Sequence, residues 1–136
     1  MSKIKYRKGY KYQLVEEHTI FVGIYPAEDI ETDFILLSRD GFLTGKVGYA
    51  WDGPSGPTWD TPNFMRGSLV HDKLYQLMRL GLILQSYRGL ADRLLREICL
   101  EDGMSKIRAW YVYRAVRRFA APFASPDRQR PPQEAP

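Results

Sequence analysis

The segment Asp52-Gly53-Pro54-Ser55-Gly56-Pro57 divides the chain into two parts that follow different periodicities. Two prolines lack an N–H and two glycines lack a Cβ, so neither a strand ladder nor a helix runs through it. Upstream, residues 12–15 and 19–24 are β-rich stretches around the polar Glu16-Glu17-His18. Residues 34–37 and 42–49 flank Arg39-Asp40-Gly41, and Asp-Gly between apolar runs predicts a hairpin turn. Downstream the pattern turns helical. Thr61 is a candidate N-cap with Pro62 at the first helical position, and the helix runs to about Leu80 before Gly81. A second helix is predicted from about Arg88 to Leu100, ending at Asp102-Gly103, and a third from near Ser105 to Phe119. The expected fold is α+β: a small N-terminal antiparallel sheet followed by a three-helix unit. It would form one domain over residues 1–121: β-rich to 50, a Gly/Pro-rich loop over 51–61, helical over 62–121. From Pro122 onward Pro, Gln, Arg and Ala dominate, which predicts a disordered tail over 122–136.

Composition narrows the class. With 136 residues, 44% hydrophobic and 26% charged, the chain can bury a modest core. Its longest apolar runs, such as Gly81-Leu82-Ile83-Leu84, are too short to span a bilayer. The basic N-terminus has no apolar stretch behind it, so no signal peptide is expected; with a single cysteine, the expected location is a reducing cytoplasm or a particle assembled there. One cysteine, Cys99, rules out an intramolecular disulfide or a multi-cysteine zinc site. A net charge of +4 permits attraction to phosphates or anionic lipid without requiring either.

The residues able to do chemistry cluster after the loop. His71 sits at the edge of an apolar stripe of Val70, Leu74, Leu77 and Met78, with Tyr75 one turn further on. On the next helix Asp92 flanks a stripe of Leu94, Leu95 and Ile98. If the two helices pair antiparallel, Asp92 approaches the His71 ring; a carboxylate on one imidazole nitrogen frees the other to take a proton from water. Tyr75 would bond the same carboxylate. Asp72 is rotated about 100° from His71 and faces another partner. Its carboxylate, with Asp52 and the carbonyls that Gly53 and Gly56 can turn inward, would suit calcium, which takes oxygen ligands. The ion would polarise an ester carbonyl.

Each residue also has a plain structural reading. His71 could be a satisfied core residue and Asp72 a solvated one. Asp92 would lie in the first turn of its helix, where negative charge is favourable anyway. The loop could be a simple connector with Trp51 and Trp59 as packing anchors. Arg93, Arg96, Arg108, Arg114, Arg117 and Arg118 read as solvated helix faces, or alternatively as a phosphate or lipid-headgroup surface. Trp110, Tyr111 and Tyr113 read as core and rim, and Cys99 as a small buried hydrophobe.

Two resemblances add to these readings. His71-Asp72-Lys73-Leu74-Tyr75 resembles the His-Asp-x-x-Tyr helix of phospholipase A2 enzymes, and Ala91-Asp92-Arg93 resembles that family's second-helix aspartate segment. The spacing is closest to the short, cysteine-poor phospholipase A2 domain of parvovirus capsid proteins, and Arg117-Arg118-Phe119-Ala120-Ala121-Pro122 is similar to its basic end. This likeness spans roughly residues 49–122. It implies His71 as general base, Asp92 as its orienting carboxylate, Tyr75 in support and Asp72 as calcium ligand, with the calcium loop within 49–57. The family's loop has a Gly-x-Gly core, whereas this chain reads Asp52-Gly53-Pro54-Ser55-Gly56. The second resemblance covers nearly the whole chain. Gly48-Tyr49-Ala50-Trp51-Asp52-Gly53-Pro54-Ser55-Gly56-Pro57, followed by His71-Asp72-x-Leu74-Tyr75, is similar to an uncharacterised domain family of tailed phages and prophages.

The leading expectation is therefore a phage-encoded, phospholipase A2-like hydrolase that cleaves a lipid or other ester at the host envelope, with calcium. The alternative is a non-enzymatic virion or assembly protein that keeps the His/Asp cluster as a brace; 13% aromatic residues and an Arg/Pro-rich tail suit partner binding. Nucleic-acid binding through the third helix ranks below both, because the basic residues are few and dispersed. A zinc amidase would have to work with one histidine and carboxylates, an unusual zinc set.

Overall fold

The computed structural model describes residues 4–7, 12–51 and 61–126. Seven short strands precede the helices: β1 (Tyr6–Arg7), β2 (Tyr12–Leu14), β3 (His18–Phe21), β4 (Ile30–Glu31), β5 (Ile35–Leu37), β6 (Phe42–Gly45) and β7 (Ala50–Trp51). They form two antiparallel sheets where the sequence predicts one, in the orders β1-β2-β7 and β3-β6-β5-β4. The β5–β6 hairpin turns at Asp40-Gly41 as predicted, with Leu37 opposite Leu43 and Gly41 at φ +91°. Trp51, read from sequence as the start of the loop, instead pairs with β2 opposite Tyr12. That pairing is non-local, so no pattern near Trp51 announces it.

Four helices follow: α1 (Pro62–Arg79), α2 (Arg88–Glu101, preceded by a 3-10 turn Gln85–Tyr87), α3 (Lys106–Phe119) and α4 (Ala121–Ala124). α1 starts at Pro62 and ends before Gly81, whose φ of +74° an L side chain would resist. The Thr61 hydroxyl does not cap it; that oxygen donates to Asn63 Oδ1 and accepts from Arg108 Nη1. Ser105 does cap α3, accepting from the Arg108 amide at 3.2 Å. The short α4 lies where the tail is predicted to begin. Ala124 is fully buried, and Arg79 and Gln85 donate to the carbonyls of Phe123 and Ala124, so the ordered chain extends past Pro122. Residues 127–136 of the predicted tail lie outside the described residues.

The main core joins both sheets to α1. Leu14, Ile35, Leu37, Leu43 and Trp51 meet Leu69, Val70, Leu74, Leu77 and Met78, all essentially buried. Each such aliphatic side chain stabilises the fold by roughly 1.5–3 kcal/mol. A smaller cluster of Phe64, Leu95, Cys99, Met104, Ala109 and Val112 joins the start of α1 to α2 and α3. Thus α1 is gripped by sheet on one side and by α2 on the other, which fixes where its polar edge points. Among the described residues no helix is long and apolar enough to cross a membrane.

Candidate active site

His71 and Tyr75 lie one turn apart on the edge of α1 that faces α2, their rings 4.1 Å apart. Asp92 meets them from α2 with a side chain of zero exposure. Its Oδ1 is 2.7 Å from His71 Nε2 and 2.6 Å from the Tyr75 hydroxyl. Its Oδ2 accepts from Arg117 Nη1 of α3 at 2.9 Å and lies 3.6 Å from Arg88 Nη1, one turn back on α2. Three helices therefore meet at one carboxylate.

Burial by itself would favour the neutral acid. Hydrogen bonds from His71 and Tyr75, the charge of His71 and the bond from Arg117 outweigh it and hold Asp92 below the ordinary carboxylate range. An ionised carboxylate has no proton to give, so both bonds on Oδ1 are donated to it. In the neutral imidazole the proton then sits on Nε2 and the lone pair on Nδ1. Among the described residues the bond that His71 makes is through Nε2, none is made by Nδ1, and the side chain is 12% exposed. Burial, and then the bond to Asp92, push the Tyr75 hydroxyl well up, so it stays a donor.

The structure thus brings together His71, Tyr75 and Asp92. Asp72 is exposed at the neighbouring position of α1. Asp52, Gly53 and Gly56 lie outside the described residues, as does Trp59. Both ends of that loop are anchored: Trp51 Nε1 donates to Ser68 Oγ, Tyr49 donates to Gln76, and Thr61 leads directly into α1. Among the described residues no three His, Cys, Asp or Glu side chains gather as a metal site, and of the residues assigned to calcium from sequence Asp72 is the one that lies among them. A carboxylate oxygen is the donor type calcium prefers.

Three readings from sequence change, and Lys73 adds a finding the sequence did not raise. Asp92 is not in the first turn of α2, which starts at Arg88; its partners, not the helix terminus, hold its charge. Arg117 and Arg108 are half-buried and engaged rather than simply solvated: one reaches Asp92 and the other Thr61. Trp110 and Tyr111 are exposed rather than core. Lys73, inside the His-Asp-x-x-Tyr motif, is completely buried against β6, its Nζ 3.0 Å from where a Gly45 Cβ would stand. Burial pulls Lys73 down to about 7, and its Nζ has no hydrogen-bond partner among the described residues.

Arg88 and Arg117 are the site residues that sequence reasoning missed. The Arg88–Asp92 spacing of one turn was available as a signal. Arg117 had none, because its reach depends on how α3 crosses α2. Arg88 also donates to the carbonyls of Val116 and Arg117, occupying acceptors at the end of α3 and fixing Arg117 beside the carboxylate. Compared with known proteins, the chain matches no family model, no curated protein and no solved structure.

Proposed function

We propose that the protein is a phage-encoded, phospholipase A2-like hydrolase in which His71 activates water for attack on a lipid or other ester. The observation that carries this reading is the division of the His71 ring: Nε2 on an ionised, buried Asp92, and Nδ1 without a partner among the described residues. In this reading a water held at Nδ1 gives its proton to the imidazole as its oxygen attacks the ester carbonyl. Asp92 orients the ring and stabilises the imidazolium that forms; Tyr75 and Arg117 hold Asp92. The proton passes from His71 to the leaving alkoxide as the ester bond breaks. Calcium, when bound through Asp72 with Asp52, Gly53 and Gly56, would polarise the carbonyl. The test is hydrolysis of short-chain phospholipid and simple ester substrates, with calcium and with chelator. Wild type should turn over and His71→Ala and Asp92→Ala should not; activity retained in both folded variants overturns the proposal.

A second reading follows from the same carboxylate. Asp92 is saturated by partners from three helices, which also suits a brace in a virion or assembly protein. Stoichiometric copies in purified particles, with no turnover in solution, would favour it.

A further inference from the structure

Helix α3 carries two stripes where a helix of a small globule needs one. Ala109 and Val112 are buried against the smaller core cluster. Ile107, Trp110, Tyr111, Arg114 and Arg118 recur at i, i+3, i+4, i+7 and i+11, so they form a second stripe. All five are exposed; Ile107, an aliphatic residue, is 83% exposed and Tyr111 61%. Phe119 and Phe123, also exposed, extend the apolar surface beyond the helix end. Residues 105–126 contain Lys106, Arg108, Arg114, Arg117 and Arg118 and no Asp or Glu. The Arg114 guanidinium stands 5.9 Å from the Trp110 ring centroid and that of Arg118 5.4 Å from Phe119, so charge and ring share one level.

We propose that this exposed face of α3 docks the protein on an anionic lipid bilayer. A helix lying in the interface buries aromatic and aliphatic side chains at the headgroup boundary while its cations meet lipid phosphates. The charge pattern disfavours a second copy of the chain: a two-fold pairing of this face would gather two sets of cations with no carboxylate on either side. Ile107, at the most exposed point of the stripe, can neither stack on a base nor pair with a phosphate, which disfavours nucleic acid. The docking is read from α3 alone and rests on the hydrolase reading only for its purpose, to bring an ester-bearing surface to the helix whose Arg117 holds Asp92.

The experiment is flotation of the full chain with vesicles of phosphatidylcholine alone or mixed with phosphatidylglycerol. It is run on wild type and on His71→Ala, so that binding is read without turnover. Both proteins should float with the mixed vesicles, weakly with phosphatidylcholine, and less at high salt. Ile107→Ser/Trp110→Ser and Arg114→Glu/Arg118→Glu should each lower the bound fraction about tenfold or more. The four side chains are exposed, so an unchanged melting temperature certifies the variants. The proposal is overturned by no flotation of wild type, by flotation that both double variants retain, or by capture of nucleic acid with vesicles ignored. It is equally overturned by a dimer that Trp110→Ser dissolves while no vesicle is bound. Flotation without ester turnover would leave the docking standing and remove the hydrolase reading.

Discussion

Arg117 and Asp92 are 25 residues apart on different helices, yet the Arg117 guanidinium donates to Asp92 Oδ2 at 2.9 Å. The opposite oxygen, Oδ1, is held by His71 and Tyr75 of α1. One carboxylate therefore registers α1, α2 and α3 against each other and orients the imidazole. Removing its partners one at a time separates those two roles.

Arg117→Met should cost about 1–3 kcal/mol in urea unfolding at neutral pH, because it strips a charged bond from a fully buried carboxylate. The cost should depend on pH. Asp92 is held below its unfolded value, so its contribution is present above about pH 4 and is lost as pH falls through the folded value. Arg117→Met weakens that depression, so wild type and variant should converge in acid. A difference that stays constant down to the acid limit would mean Arg117 acts through packing.

Tyr75→Phe keeps the ring beside His71 and removes the hydroxyl, with its bond to Oδ1 and the longer one it accepts from Arg88. Stability should fall by about 1–2 kcal/mol. If the chain hydrolyses esters as proposed, turnover should drop less than about tenfold, against about a hundredfold or more for His71→Ala. Equal losses in kcat would give Tyr75 a direct part in the chemistry.

The same residues show what the sequence made legible. Pro62 and Gly81 set α1, and once the two amphipathic helices are taken to pair antiparallel across their short connection, periodicity brings Asp92 to His71. Arg117 reads like any other arginine of a solvated helix until the α2–α3 crossing is known. Lys73 is hidden in the same way. Its burial depends on Gly45 in a distant strand leaving room for it. The two-residue strands β1, β4 and β7 are too short for alternation to register, which is why one sheet was expected and two are found.

His18 and Lys73 give the fold a pH dependence separate from the Asp92 cluster. His18, opposite Gly45 in the sheet, is lowered from 6.5 to about 4 by burial and by the nearby charges of Lys73 and Arg66, against a smaller pull from Asp102. The folded state thus binds fewer protons than the unfolded chain between those values, and stability should fall by roughly 1–3 kcal/mol as pH drops through them. His18→Leu should flatten that segment of the stability curve. Lys73→Met should stabilise the protein by about 2 kcal/mol at pH 7, since it removes an amine whose burial disfavours its charged form. A destabilised Lys73→Met would show that the amine finds compensation in solution.

Gly67 sets how closely α1 and α2 approach. A Cβ there would stand 2.9 Å from Cys99 Sγ, 3.0 Å from Leu95 Cδ1 and 3.3 Å from the Leu95 carbonyl oxygen. The first two atoms can rotate aside, but the third is α2 backbone and moves only with the helix. Helix propensity alone makes Gly→Ala favourable by about 1 kcal/mol. The contact should reverse that sign and leave Gly67→Ala less stable than wild type by about 1–2 kcal/mol. Part of the cost is the Sγ clash, so in a Cys99→Ala background the same substitution should cost less, and the double-mutant cycle should give a coupling of about 0.5 kcal/mol or more. Gly67 and His71 lie one turn apart on α1, and Leu95 lies one turn beyond Asp92 on α2. Spreading the helices at Gly67 therefore lengthens the 2.7 Å contact between His71 and Asp92. Any hydrolysis that depends on this contact should fall further in Gly67→Ala than its stability loss accounts for, and Cys99→Ala should restore part of both. A stabilised Gly67→Ala with no coupling to Cys99 would mean that the helices are not in contact at this point.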